Sequence, residues 1–158
     1  MTNEQRAKSQ TDTAMALGRL IISISFFDRY YSYVYRIASG LDFPAADAAI
    51  KKLKYETEKI KLIIRTLENS RYPSDQMRHD LTRLMKARLD ITEDRNRLMH
   101  DSWVVTSTGY SIIPSKASPG FPDEFAPSAV TPEKVEELIK TTQRLTGELM
   151  SVLFPERN

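Results

Sequence analysis

Two histidines and no cysteine narrow the chemistry open to this chain of 158 residues. Without a thiol there can be no disulfide, thiolate zinc site, cysteine iron–sulfur ligation or thiol nucleophile. His79 and His100 alone make a histidine metal site hard to assemble, so neither a metal nor a cofactor is expected. His100 stands in the segment Arg95-Asn96-Arg97-Leu98-Met99-His100-Asp101-Ser102-Trp103. An imidazole that titrates near neutral pH can act as general acid and base. Arg95 offers a permanent, forked donor to a charged phosphoryl oxygen. Asn96 can orient either partner through its amide, Asp101 can hydrogen-bond His100 and raise its pKa, and Arg97 is a further supporting residue.

The same residues also have structural readings. His100 could bond the exposed carbonyls of a helix C-terminus. Arg95 could form a buried ion pair with Asp28 or a neighbouring carboxylate. Arg88 is assigned to structure, Glu93 and Asp94 to solvent or to Arg97, and His79 to the surface.

The elements that must hold these side chains are read from hydrophobic periodicity. Apolar residues at Leu17, Leu20, Ile24, Phe27, Tyr31, Val34 and Ala38 predict one long helix ending at Gly40 as a left-handed cap. Pro44 opens a second helix marked by Ile50, Leu53, Ile60, Ile64 and Leu67. Ser74 is an N-cap for a third, whose stripe of Met77, Leu81, Leu84, Ile91 and Leu98 also passes through Arg88 and Arg95. Trp103–Thr106 and Tyr110–Ile113 around Ser107-Thr108-Gly109 predict a short β-hairpin. Residues 114–128, with four prolines, read as a Pro-rich surface loop. Thr131 and Pro132 start a final helix that runs to Pro155. The expected fold is therefore all-α: a single domain over residues 1–158, an antiparallel bundle of four to five helices with a small hairpin before the last.

Within this pattern, Arg95-Asn96-x-x-x-His100 near the end of a long helix resembles the motif of the HEPN superfamily of helical bundles. The resemblance covers most of Leu17 to Val152 as helix pattern and Arg95, Asn96 and His100 as identities. It implies a metal-independent endoribonuclease of toxin or phage-defence type. In metal-free RNA cleavage the ribose 2′-hydroxyl is deprotonated to attack phosphorus, the leaving 5′-oxygen is protonated, and negative charge gathers on the phosphoryl group. His100 would move the protons, Arg95 would stabilise the phosphorane and Asn96 would position them. The alternative is a non-catalytic HEPN-like module that binds RNA, a nucleotide or a protein. One toxin branch carries a Tyr two residues after the His, the target of its antitoxin. Ser102 occupies that place here, so that regulation is not supported.

Helix geometry bears on this assignment. At 100° per residue, Asn96 and His100 share a face, whereas Arg95 and His100 differ by about 140°. They could meet if the last turn unwinds before Trp103, or if Arg and His come from two chains. The superfamily implies the second, a homodimer with a composite cleft.

A formal net charge of +2 and a pI of about 8.8 do not by themselves indicate a nucleic-acid binder. Residues 51–97 nevertheless hold thirteen basic and eight acidic residues, a surface able to meet phosphates or equally two solvated helix faces. Phe26, Phe27, Tyr30, Tyr31, Tyr33 and Tyr35 form an aromatic cluster that could stack on bases or fill a core. There is no glycine-rich phosphate loop, Gly-x-Ser-x-Gly elbow, His-Glu-x-x-His pair or paired-carboxylate signature. A polar N-terminus and the absence of a 20-residue apolar run make a membrane span unexpected and the cytoplasm the default location. The expected partners are a second copy, RNA, and an antitoxin or other protein.

Overall fold

The computed structural model describes residues 2–100, 102–106, 109–113 and 128–157; of His100 and of the strand residues other than Tyr110 and Val130, only the backbone is described. The chain is mostly helical, as the all-α class requires. The first helix, α1 (Asn3–Asp28), starts well before Leu17. Thr2 and Gln5 explain this: the Gln5 amide N–H donates to Thr2 Oγ1 at 3.2 Å and the Thr2 N–H to Gln5 Oε1 at 2.8 Å, a reciprocal cap.

The single helix expected up to Gly40 is divided. α1 stops at Asp28, and α2 (Tyr31–Ser39) begins after a turn closed by the Tyr30 N–H on the Phe27 carbonyl at 3.0 Å. Apolar register survives the break, because Phe27, Tyr31, Val34 and Ala38 all stay buried. The second expected helix is also two, α3 (Phe43–Lys51) and α4 (Glu56–Glu68). Asp42 caps α3 by accepting from the Ala45 N–H at 2.9 Å, and the Tyr55 N–H donates to Glu58 at the start of α4 at 3.4 Å. The described residues thus contain six α-helices rather than four to five. α5 (Asp75–His100) begins where Ser74 Oγ accepts from the Met77 N–H at 3.2 Å, and α6 (Pro132–Leu153) follows Thr131, which caps the Lys134 N–H at 3.3 Å. A 3-10 turn, Pro155–Arg157, follows.

Three short strands lie between α5 and α6: β1 (Ser102–Thr106), β2 (Gly109–Ile113) and β3 (Ser128–Val130). They form an antiparallel sheet in the order β1-β2-β3, with Val105 opposite Tyr110 and Tyr110 opposite Val130. The expected turn at Ser107-Thr108 and the loop from Pro114 to Pro127 lie outside the described residues. Ser128, assigned to that loop, belongs instead to β3, whose three residues pair with β2.

By contacts the chain divides into two compact units, Met1–Ile22 with Glu93–Lys140, and Ser23–Thr92 with Thr141–Asn158. In the first, Ala16, Leu20, Leu98, Val130, Val135 and Ile139 are buried, and Arg19 grips Glu136 through two hydrogen bonds of 2.9 and 3.1 Å. In the second, α2, α3 and α4 bury Val34, Ala46, Ile50, Ile60, Ile63 and Leu67 in a helical core. Among the described residues, no helix is long and apolar enough to cross a membrane.

Gly40 closes α2 with φ +72°, and its N–H bonds the Arg36 carbonyl at 3.0 Å. A Cβ there would sit 2.6 Å from the Tyr72 ring. Gly40→Ala is therefore expected to cost about 1–2 kcal/mol, seen as a lower thermal midpoint. Gly40→Asn should lose less, since asparagine tolerates the left-handed conformation better. Equal loss from both would assign the effect to the Tyr72 contact rather than to the backbone.

Candidate functional site at the end of α5

α5 keeps the expected stripe, with Leu81, Leu84, Ile91 and Leu98 buried. The two arginines on that stripe have different environments. Arg88 is fully buried, whereas Arg95 is half-buried, one turn before the buried Leu98. Arg95 Nη1 donates to Asn96 Oδ1 at 2.7 Å. A guanidinium has only donors, so the amide oxygen of Asn96 faces it and the amide NH2 is the group directed elsewhere. Among the described residues, Arg95 forms no salt bridge to a carboxylate.

His100 is the last residue of α5, and its side chain lies outside the described residues, as does Asp101. The expected Asp101–His100 hydrogen bond falls there too. α5 is helical through His100. Positions 95 and 100 of one chain are therefore separated by about 140° around the axis and about 7.5 Å along it, whereas 96 and 100 share a face. Arg97, Glu93 and Asp94 are exposed, and Arg97 has an interaction of its own.

Asp28, weighed above as a partner for Arg95, is bound by Arg88. Arg88 Nε and Nη2 donate to Asp28 Oδ1 at 3.3 and 3.0 Å, and Nη1 donates to Thr92 Oγ1 at 2.6 Å. Nη2 also bonds Glu56 Oε1, which accepts in addition from the Tyr31 hydroxyl at 3.1 Å. The Phe27 ring lies 5.9 Å from the Arg88 guanidinium carbon. Burial is the main force that pushes the Asp28 carboxyl up to about 6; Arg88 opposes it and Glu56 adds to it. Burial likewise pushes the Tyr31 hydroxyl far above its usual range.

Arg88 in an apolar stripe signals a need for buried carboxylates. The residue pattern offers Asp28 to Arg95 rather than to Arg88 and gives no sign of Glu56; both come from other helices. The basic excess of residues 51–97 is also partly taken up: Lys51 pairs with Asp47, Lys86 with Glu68 and Arg83 with Glu148. Of the aromatic cluster, Phe27 and Tyr31 are core, while Tyr30 and Tyr33 meet Phe154 edge to face at 6.2 and 5.9 Å. His79 is exposed. Among the described residues, no group of three or more His, Asp or Glu could hold a metal ion.

No protein-family model matches the chain, and no curated protein or solved structure matches it. The functional reading therefore rests on the fold, the motif and the chemistry of α5.

Proposed function

We propose that this protein is a HEPN-like, metal-independent endoribonuclease that acts as a homodimer on cytoplasmic RNA in a toxin or phage-defence setting. The observation that carries the reading is a helical α5 through His100, with Arg95 held by Asn96 instead of a described carboxylate. An arginine whose charge is not already matched by a carboxylate can respond to charge developing on a phosphoryl group. Because positions 95 and 100 diverge on one helix, a site that needs both is most simply built from two chains.

In that site His100 takes the proton of the 2′-hydroxyl, O2′ bonds to phosphorus, and the bond from phosphorus to O5′ breaks. The leaving 5′-oxygen receives a proton, so the products are a 2′,3′-cyclic phosphate and a 5′-hydroxyl. Arg95 stabilises the phosphorane and Asn96 fixes the guanidinium.

The test is incubation of the purified chain with single-stranded RNA in excess chelator, with the new ends identified. Cyclic-phosphate and 5′-hydroxyl ends are expected. Cleavage that stops in chelator, or intact RNA at every protein concentration, would overturn the proposal; intact RNA together with measurable RNA or nucleotide binding would favour a non-catalytic module.

A further inference from the structure

The Arg88 cluster has an unbalanced set of partners. Two carboxyl groups, Asp28 at the end of α1 and Glu56 at the start of α4, converge on one guanidinium nitrogen from α5. Both carboxyls ionised against one arginine would leave a net negative charge in a partly enclosed place, which is unfavourable. Hydrogen bonding gives the same indication. Glu56 Oε1 receives Arg88 and Tyr31, whereas Glu56 Oε2 is buried without a donor. A buried carboxylate oxygen normally has one. Because both carboxyls bond the same Arg88 nitrogen, their oxygens crowd one donor, and two like charges brought that close favour a proton on one of them.

We propose that Asp28 and Glu56 share one proton, carried on Asp28 and donated to Glu56, and that this proton latches the α1–α2 break onto α4 and α5. The proton supplies the donor that Oε2 lacks and makes the cluster neutral: one arginine, one carboxylate and one carboxylic acid. Asp28 can exchange it with solvent, because its side chain is 32% exposed while Arg88 is fully enclosed. The groups that face the pair are Tyr31 from α2, Glu56 from α4, Arg88 and Thr92 from α5, and the Phe27 ring from α1 itself. Of these Tyr31 stays protonated and Arg88 stays charged through the neutral range, so Asp28 is the group whose protonation responds to pH.

The sign follows from linkage. Asp28 in the folded chain is raised to about 6 from an ordinary 3.8. The folded state therefore holds the proton more tightly than the unfolded state. The stabilisation is fully present below the unfolded value and is lost as pH rises through the folded one. The latch is closed in mild acid and loosens toward neutral pH, independently of any nuclease activity.

The test compares thermal midpoints of the full chain and its Asp28→Asn variant at about pH 5 and about pH 7.5, together with a carbon-13 titration of the Asp28 carboxyl. An asparagine amide donates to Glu56 permanently. The variant's thermal midpoint should exceed the parent's by several degrees near pH 7.5 and by clearly less near pH 5. In the parent, Asp28 should titrate near 6, and Glu56→Gln should return it toward the ordinary carboxylate range. A variant offset that is the same at both pH values, or an Asp28 that titrates in the parent like an exposed aspartate near 4, would overturn the proposal.

Discussion

Arg95→Ala and His100→Ala are each expected to lower RNA cleavage by about 100-fold or more, with no change in the kind of ends produced. The two losses arise differently. Alanine at 100 removes the group that moves protons, so residual activity should no longer show a neutral-pH titration. Alanine at 95 removes charge stabilisation from the transition state, so the loss should fall mainly on kcat rather than on RNA binding. Arg95→Lys keeps the charge but loses the fork and should recover only part of the rate. His79→Ala, at the exposed start of α5, should leave cleavage unchanged and serves as the control.

The composite arrangement adds a sharper measurement. If each site takes Arg95 from one chain and His100 from the other, mixing the two inactive variants makes heterodimers with one intact site. Random pairing of equal amounts should restore about one quarter of the parental activity. No recovery after subunit exchange would mean that both side chains act within one chain, or that neither acts at all. Full activity in the single variants would exclude this end of α5 altogether.

The largest effect on stability is expected at Arg88. Arg88→Met should destabilise the chain by about 3 kcal/mol, because it removes a fully buried cation and leaves the half-buried Asp28 and Glu56 facing each other without it. For a chain of this size that corresponds to a thermal midpoint lowered by roughly 10 °C. The loss should be smaller near pH 5 than near pH 7.5, since carboxyls deprived of the arginine bind protons more readily. The sign of the combined variant is the discriminating result. Asp28→Asn and Glu56→Gln added to Arg88→Met should recover much of the loss, because a neutral cluster of similar volume carries no desolvated charge. Arg88→Lys should be only a partial substitute, as one ammonium cannot reach Asp28, Glu56 and Thr92 with the same geometry. A loss of under about 1 kcal/mol for Arg88→Met would show that the cluster is solvated in practice.

Residues whose roles are local were the legible ones. Gly40, Ser74 and Thr131 mark helix ends because a left-handed cap or a side-chain acceptor acts within a few residues. The stripe on α5 identified Arg88 as buried for the same reason: periodicity reports which side of a helix faces the core. The helix breaks at residues 29–30 and 52–55 were not legible. No Gly or Pro lies there, and the apolar rhythm runs through the first break undisturbed. These breaks lie beside Asp28 and Glu56, which both bond Arg88, and Tyr31, which donates to Glu56, so the residues at the breaks answer to partners distant in sequence. The early start of α1 was available in Thr2-Asn3-Glu4-Gln5, where Thr and Gln three apart make a reciprocal cap. At the candidate site, the sequence supplied the residue types, and only the structure showed Asn96 bonded to Arg95.

The Arg19–Glu136 pair joins residues 117 positions apart. At about 5–20 residues per second of synthesis, the first half of α1 waits roughly 6–23 s for Glu136 to be added. A lone helix of that length is marginal in water, and the core that buries Ala16 and Leu20 is incomplete until Val135 and Ile139 of α6 are added. A nascent chain truncated before α6 therefore lacks the Glu136 partner of Arg19 and cannot complete the unit that holds the end of α5.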